Sequence, residues 1–195
     1  MMDSFIQEFM LDDVSICDQL IDYHTNSMEY KSKGSTAAGM GKGKISTDVP
    51  IHVGSQNAIV NMYVTELIKK LDTYLQQYFI QNMMKLNIKE PINLQHYAPN
   101  EGFFDWHCER SCYQSHQRAL VFMTYLNDVN DGGETEWYHQ KLKVKAVKGK
   151  TVIWPTDFTH LHRGITSPTE HKYIATGWFS FLDAMEWGRM YMNKK

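Results

Sequence analysis

Eight short segments rich in β-branched and aromatic residues follow one another from about residue 91, and this run limits the chain to a few folds. Turn-forming pairs such as Pro-Asn, Asn-Asp, Gly-Gly and Ser-Pro separate the segments. Short strands at this spacing are typical of a β-sandwich or a jelly roll. The segments read INLQHYAP, GFFDWHCE, RALVFMTYLND, GETEWYH, KLKVKAV, KTVIWP, HLHRGIT and HKYIATGWFSF.

The residues before 91 have a different pattern. Apolar residues recur at helical spacing over 14–29 and again over about 56–82, which predicts two helices. Between them, residues 31–49 are rich in Gly, Lys and Ser without an apolar period, which predicts a mobile loop with solvated lysines. We therefore expect an α+β fold, in which N-terminal helices pack on one sheet of a jelly-roll core formed by residues 91–183.

The composition is that of one globular domain. The chain has 195 residues, of which 43% are hydrophobic, so it can bury a single core and is not disordered. We expect one domain over 1–195, with 1–90 as helical support plus the Gly/Lys loop. The formal net charge of −2 gives no indication of nucleic acid or a membrane surface as a partner. No apolar run approaches the roughly 18–20 residues that a membrane-spanning helix needs.

The N-terminal residues and the cysteines predict a cytoplasmic protein. The opening sequence MMDSFIQEFMLDD lacks the basic and long apolar regions of a secretory signal. The three cysteines, Cys17, Cys108 and Cys112, are an odd number without finger-like spacing to histidines. They are therefore expected to be free thiols in a reducing compartment.

The stretch FDWHCER contains a candidate metal site. If it is a strand, Asp105, His107 and Glu109 share one face, because side chains two residues apart point the same way. His160 and His162 share a face in the later segment HLHRGIT. Two imidazoles and one carboxylate on one side of an ion suit non-haem Fe(II) that reacts with oxygen. Spacing alone leaves open which carboxylate and which later histidine are the ligands.

Longer motifs in the same order resemble the 2-oxoglutarate/Fe(II) dioxygenases of the prolyl 4-hydroxylase-like branch. The resemblance covers roughly residues 92–181 and includes INLQHYAPNEGFFDWHCE, TYLNDVNDGGETEW and GKTVIWPTDFTHLHRGITSPTEHKYIATGWF. It implies an oxidoreductase that uses Fe(II), 2-oxoglutarate and O2, with ascorbate supporting activity. Such an enzyme hydroxylates an unactivated C–H bond and releases succinate and CO2.

Matched residue by residue, the resemblance implies that His107, Glu109 and His162 bind the iron. The family usually has aspartate two residues after the first histidine, whereas this chain has Glu109. Glutamate keeps the charge and the oxygen donor but adds a methylene group and a rotatable bond. Asp105 therefore remains the alternative carboxylate ligand.

The same match identifies a 2-oxoglutarate site. Lys172 is expected to pair with the distal carboxylate of the cosubstrate, and Tyr97 to donate a hydrogen bond to it, because a buried anion is costly unless it is paired. The interval 172 − 162 = 10 matches that of the family, which favours His162 over His160 as the second histidine ligand. His160 then has a structural role.

Several further residues have two possible roles. Tyr125 and Trp178 line the cosubstrate pocket by resemblance, but by default such aromatic residues belong to the core. Arg163 should point away from the metal and form a structural salt bridge. Arg118 either reaches the substrate or anchors its strand. By resemblance, the loop at residues 111–117 folds over the substrate; the alternative is a solvated turn.

Three functions remain as hypotheses. The first is a hydroxylase of a prolyl or other residue in a protein or peptide. The second is a hydroxylase of a free amino acid or other small molecule, because the chain is short for a dedicated peptide-binding domain. The third is a non-catalytic jelly-roll binding module, which Glu109 favours and the retained Lys172 opposes. We expect neither nucleic acid nor membrane as a partner, and the sequence does not fix the oligomeric state.

Overall fold

The computed structural model describes residues 3–36, 39–40 and 43–192. Within them are three α-helices: α1 (Ser15–Asn26), α2 (Ala58–Gln77) and α3 (Ala184–Met192). Single 3-10 turns occur at Met28–Tyr30, Tyr113–Ser115 and Phe158–His160. The strands of this part of the chain are β1 (Gln7–Met10), β2 (Ser32–Lys33), β3 (Ser35–Thr36), β4 (Gly39–Met40), β5 (Lys44–Ile45), β6 (Thr47–Ile51), β7 (Leu86–Ile88), β8 (Ile92–Tyr97), β9 (Gly102–Phe103), β10 (Arg118–Tyr125), β11 (Thr135–Trp137), β12 (Leu142–Val144), β13 (Lys150–Pro155), β14 (His162–Gly164) and β15 (Lys172–Phe181).

Eight strands form a major antiparallel sheet in the order β1-β13-β10-β15-β8-β6-β2, with β7 paired to the end of β15. A minor sheet has the order β12-β11-β14. Strands β3 and β4 form a hairpin, and β5 pairs with β9. The two main sheets face each other, as in the predicted α+β jelly roll, and the sequence-based fold class is confirmed.

Strand β10 shows why the central segments are apolar on both faces. Its side chains alternate between two cores, as the period of a strand requires. Leu120 and Phe122 pack into the core under the helices, whereas Val121 and Met123 face the core between the sheets. Because both faces are covered, RALVFMTY is buried at nearly every position and has no polar face.

The helices cover the outer face of the major sheet. The side chain of Asn57 caps α2 by accepting a hydrogen bond from the backbone N–H of Ile59 at 3.0 Å. The buried face of α2 includes Tyr63 and Leu67, and the Tyr63 hydroxyl donates to Thr124 at 2.8 Å. The two predicted helices therefore exist and pack on one sheet. None of the helices described here has the length and apolar character needed to span a membrane.

The residues before 91 contribute more than helical support, which corrects the predicted division of the chain. Strands β1, β2, β6 and β7 all precede residue 91 and belong to the major sheet. They are two to five residues long, too short to show an alternating pattern of their own. Residues 1–2 and 193–195, at the ends of the predicted domain, lie outside the described residues.

The predicted Gly/Lys loop at 31–49 is also corrected in part. It contains strands, and Lys44 is buried rather than solvated. Its ammonium group donates to Asp48 Oδ2 at 2.7 Å, so burial of the charge is compensated by an ion pair. Residues 37–38 and 41–42 of the predicted loop lie outside the described residues.

Candidate metal and cosubstrate site

A cavity of about 770 Å³ lies between the two sheets. Its walls carry both apolar side chains, such as Met123 and Ile174, and ionisable ones. Most of the residues that the sequence assigned to the site contribute to its lining: Tyr97, His107, Glu109, His162, Lys172 and Trp178. The candidate metal and cosubstrate residues therefore share one cavity.

His107 and His162 are brought together by the backbone. They form an isolated antiparallel bridge, in which each N–H donates to the other carbonyl, at 3.1 and 3.0 Å. The Nδ1 atom of His107 lies 2.9 Å from the carbonyl oxygen of Asp105, and that of His162 lies 3.0 Å from the carbonyl oxygen of His160. Because a carbonyl can only accept, each Nδ1 carries a proton, and Nε2 is the nitrogen of each ring that faces Glu109 and can bind a metal.

Phe103 fixes the plane of the His107 ring. The two rings are stacked, with centroids 3.6 Å apart and planes 7° apart. Phe103 is itself held by the pairing of β9 with β5, in which it lies opposite Lys44. Sequence reasoning missed this support, because β5 lies within the segment that it interpreted as a loop.

Glu109 completes a three-residue group with the two histidines. Its Oε1 atom lies 3.4 Å from the Nε2 atom of both His107 and His162. One ligand atom from each residue lies within 4.8 Å of the others. Two donors bound at about 2.1 Å and at right angles on one ion are about 3 Å apart, so the group needs little movement to hold a metal.

Asp105 lies outside this group, for a reason that the sequence did not reveal. The strand expected through FDWHCER ends at Phe103. The backbone N–H groups of Phe104 and Asp105 both turn toward the carbonyl oxygen of Gly43, at 2.7 and 3.4 Å. The alternation of side chains is interrupted there, and Asp105 is exposed.

The charges of the three-residue group favour a cation. Burial alone would raise the pKa of Glu109, but hydrogen bonds with His107 and His162 outweigh it and hold that pKa well below its usual range. Burial, together with the neighbouring His107, lowers the pKa of His162. An ionised carboxylate and the Nε2 atoms of two imidazoles thus converge on one point, and these are the donor atoms that Fe(II) takes in such sites.

Lys172 provides a positive charge in the same cavity. It lies opposite Tyr97 in the pairing of β15 with β8 and is buried. No carboxylate of the described residues comes within 4.0 Å of its ammonium group. Burial lowers the pKa of Lys172 to about 8, against a smaller opposing effect of Glu134. A buried cation without a partner fits a site for an anionic ligand such as a carboxylate.

Tyr97 lies beside Lys172, with its ring centroid 5.8 Å from the ammonium nitrogen. Its hydroxyl donates to Gln95 Oε1 at 2.8 Å, so its proton is already used within the protein. Gln95 in turn lies 3.5 Å from the Asp48 carboxylate, which connects Tyr97 to the Lys44–Asp48 pair. This polar network was not predicted, although Lys44, Ser46 and Asp48 recur with the two-residue period of a strand.

Tyr125 and Trp178 have different positions. Tyr125 is fully buried in the core between the sheets and is not among the residues lining the cavity. Its hydroxyl lies 2.8 Å from Thr135 Oγ1 and 3.2 Å from the carbonyl oxygen of Val144. Tyr125 therefore packs in the core, which was the alternative to a place in the cosubstrate pocket. Trp178 lines the cavity, and its indole N–H donates to Glu109 Oε2 at 3.0 Å.

The remaining candidates lie in the surrounding structure. His160 points away from the group, with Nε2 2.9 Å from the carbonyl oxygen of Ser4. Arg163 forms an ion pair with Glu136 at 3.0 Å. Arg118 forms an ion pair with Glu90, with its two hydrogen bonds at 2.8 and 2.5 Å. The loop at 111–117 contributes four residues to the cavity wall: Ser111, Cys112, Gln114 and Ser115.

Comparison with solved structures shows the same fold in prolyl hydroxylases. A viral collagen prolyl hydroxylase from Paramecium bursaria Chlorella virus-1, solved with 2-oxoglutarate, has a TM-score of 0.68 and 18% identity, covering 92% of this chain and 97% of that one. A Pseudomonas putida prolyl-4-hydroxylase has a TM-score of 0.68 and 14% identity, covering 91% and 93%. A prolyl hydroxylase from Trichoplax adhaerens, in complex with a peptide fragment of hypoxia inducible factor, has a TM-score of 0.69 and 15% identity, covering 90% and 83%.

Comparison of sequences finds a matching family model for part of the chain. No curated protein matches the chain. Residues 92–180 match the model of the 2OG-Fe(II) oxygenase superfamily, and this segment includes all the cavity residues considered above as ligands of iron or 2-oxoglutarate. This match covers a little under half of the chain; with the converging donor set and the unpaired lysine in one cavity, it indicates an enzyme that uses Fe(II), 2-oxoglutarate and O2.

Proposed function

We propose that this enzyme hydroxylates a residue of a protein or peptide, with a prolyl residue as the first candidate. The observation that carries the hydroxylase proposal is the meeting of an ionised carboxylate, two imidazole nitrogens and an unpaired ammonium group in one cavity. The peptide substrate is supported by the shared fold with prolyl hydroxylases, one of which was solved with a bound peptide.

In this proposal, His107, Glu109 and His162 hold Fe(II), and Lys172 pairs with the distal carboxylate of 2-oxoglutarate. Bound iron and cosubstrate supply the oxidation, in which O2 and 2-oxoglutarate are converted to succinate, CO2 and the hydroxyl group of the product. Lys172 gains the anionic partner that the free protein lacks. Because the carboxylate is ionised before the metal arrives, metal binding does not have to displace a proton from it.

The protein also controls orientation and access to water. Phe103 and the two backbone carbonyls keep the imidazole rings turned toward Glu109. Apolar side chains, including Met123 and Ile174, form part of the cavity wall and keep the reacting groups away from bulk water. These residues therefore position and shield the centre without taking part in bond changes.

A small polar molecule is the second candidate substrate. The part of the cavity near β6 and β8 is lined by Asp48, Asn93 and Gln95, with Lys44 beside them. Such a polar wall suits hydrogen bonds to a free amino acid as well as to a peptide backbone. A non-catalytic module is opposed by the buried, unpaired Lys172, which a protein without an anionic ligand would gain from losing.

We also propose a cytoplasmic location. Cys17, Cys108 and Cys112 are all free in the structure, and Cys112 is exposed. Free thiols persist in reducing compartments, whereas exposed thiols are readily oxidised outside them.

The proposal is tested by succinate formation from 2-oxoglutarate with Fe(II) and ascorbate. Proline-containing peptides and free amino acids are then compared for the gain of one oxygen atom by mass spectrometry. His162→Ala and Glu109→Ala are expected to abolish turnover. The matched changes His160→Ala and Asp105→Ala are expected to retain it.

The possible outcomes separate the hypotheses. Oxygen gain only in peptides supports the first candidate substrate, and gain only in amino acids supports the second. No succinate and no metal binding by the wild-type protein would contradict the proposed function. Loss of turnover in Asp105→Ala with retention in Glu109→Ala would show that the carboxylate assignment is wrong.

A further inference from the structure

The two oxygens of the Glu109 carboxylate have separate partners. Oε1 faces His107 and His162, at 3.4 Å from the Nε2 atom of each ring. Oε2 points the other way and accepts a hydrogen bond from the indole N–H of Trp178 at 3.0 Å. The guanidinium group of Arg118 lies 3.8 Å from the same oxygen. One oxygen is thus available to a metal while the other is held by the protein.

Trp178 is itself fixed in place. The Arg118 guanidinium group lies over the indole ring, 3.5 Å from its centroid. Glu90 binds this guanidinium group through both of its carboxylate oxygens, at 2.8 and 2.5 Å. Arg118 also donates to the backbone carbonyl oxygen of Glu109 at 3.2 Å. The backbone and the side-chain end of Glu109 are therefore held by the same cluster.

This restraint matters because of the length of the glutamate side chain. Glutamate has one more rotatable bond than the aspartate usual in the family, and fixing an additional bond costs conformational entropy. An unrestrained carboxylate can also bind a metal through both oxygens and so occupy a position needed by other ligands. A hydrogen bond to the outer oxygen removes both problems, because it selects one rotamer and leaves only Oε1 for the metal.

We propose that Trp178 is a positioning residue, which holds the outer oxygen of Glu109 so that this longer carboxylate presents a single oxygen to the metal. Arg118 holds the indole ring in place by packing its guanidinium group over the ring face. The inference rests on the proposed function, because it takes Glu109 as a metal ligand. It gives Trp178 a role through Glu109, in place of the cosubstrate contact that the sequence resemblance implied.

The test is the affinity of the apo protein for Mn(II), measured by electron paramagnetic resonance, with Mn(II) as an air-stable probe of the iron site. Trp178→Phe keeps an aromatic ring but removes the N–H donor, and it is expected to weaken Mn(II) binding about 10-fold or more. Trp106→Phe is the matched control. Trp106 lines the same cavity but packs on Tyr138 and Arg163, so Mn(II) affinity should stay within about 2-fold of wild type.

A double-variant cycle separates positioning from packing. Aspartate at position 109 is too short to reach the metal and Trp178 together, so Glu109→Asp is expected to bind Mn(II) more weakly. In that background, Trp178→Phe should have an effect of less than about 2-fold, because the hydrogen bond is already absent. A role of Trp178 in packing alone would give the same loss in both backgrounds and would overturn the proposal.

The inference and the proposed function fail in different ways. If wild type binds Mn(II) and Trp178→Phe binds it equally well, the positioning role is wrong and the proposed function stands. If wild type does not bind Mn(II), the proposed function fails and the inference fails with it. Arg118→Met is the second variant should Trp178→Phe not fold. It is expected to weaken binding severalfold, and an unchanged affinity would overturn the proposal.

Discussion

Lys172 places a charged side chain where burial opposes the charge. It is buried, it lines the cavity, and two aromatic rings lie near its ammonium group, with the Tyr97 and Tyr125 centroids 5.8 and 5.3 Å from Nζ. Aromatic faces attract a cation but compensate only part of its lost hydration. The free protein therefore holds a buried charge at a cost in free energy, which we expect the carboxylate of 2-oxoglutarate to lower.

The lowered pKa of Lys172, about 8, predicts a pH dependence of 2-oxoglutarate binding. Below that pH, the ammonium group is charged and can pair with the cosubstrate. Above it, the free protein holds a neutral amine, so the dissociation constant of 2-oxoglutarate should rise from about pH 8 upward. Isothermal titration of the Mn(II)-loaded protein between pH 7 and about 9 measures this directly.

Lys172→Arg is the control, because arginine stays protonated throughout this range. The rise in dissociation constant should be absent in this variant, whatever its absolute affinity. An equal rise in both proteins would show that another group is responsible.

The lowered pKa of Lys172 also predicts that the free energy of unfolding depends on pH. Between about pH 8 and its ordinary value of 10.5, the unfolded chain holds the proton of Lys172 and the folded protein does not. The contribution of Lys172 to the free energy of unfolding therefore rises with pH through this window. Below about pH 8, both states are charged and the cost of burial is constant. The free energies of unfolding of wild type and Lys172→Met, measured in urea across this window, should therefore approach each other as the pH rises.

At the scale of elements, the pairing of β5 with β9 supports the metal site from outside the family-matched segment. Lys44 lies opposite Phe103, and Phe103 stacks on His107. Strand β5 is only two residues long, so its role is to hold β9 rather than to extend a sheet. The N-terminal part of the chain thus contributes to the geometry of a site whose candidate ligands all lie after residue 91.

Phe103→Ala tests this support. Loss of the stacked ring should free the His107 imidazole and weaken Mn(II) binding by roughly 2- to 10-fold, since such aromatic pairs contribute about 0.5–1.5 kcal/mol. Phe104→Ala is the matched control, because the side chain of Phe104 is partly exposed and is not stacked on a site histidine. An equal loss in both variants, measured by Mn(II) titration, would contradict a specific role for Phe103.

Site residues held by backbone pairing could be predicted from the sequence, whereas those beyond the end of a strand could not. His107 and His162 meet in a backbone bridge and Lys172 lies in a regular strand pairing, so spacing and order along the chain brought them correctly into one cavity. Asp105 does not join them, because the strand ends before it and side-chain alternation no longer applies, and Glu109 as the carboxylate ligand stays a prediction. Whether the grouped residues bind iron stays a prediction. The partner of Trp178 could not be predicted, since the reach of a glutamate side chain depends on its rotamer.

At the scale of the whole molecule, the fold class was predictable and the boundary at residue 91 was not. The long apolar periods of α2 and the dense strand segments are strong signals. Strands β1 and β6 are short and take their places from tertiary pairing with β13 and β8, which local sequence does not reveal. One core joins both parts, because Leu67 of α2 and Phe122 of β10 belong to the same cluster.

This shared core favours a single domain over the described residues and predicts one cooperative unfolding transition. Far-ultraviolet circular dichroism and tryptophan fluorescence should therefore give coincident curves in urea. Leu67→Ala should lower the free energy of unfolding by about 2–5 kcal/mol in both signals. Met62→Ala, an exposed position on the same helix, should change it by less than about 0.5 kcal/mol. Two separated transitions would contradict the single domain.

The bridge between His107 and His162 sets a rule for changes in chain length. The two residues exchange both backbone hydrogen bonds. The distance between their side chains is therefore fixed by the backbone. One added or deleted residue between His107 and Glu109 would turn the carboxylate away from the imidazoles, whereas a change in length beyond these segments leaves the pair intact. Anyone transplanting this centre into another jelly roll must therefore move two short backbone segments together, not three side chains.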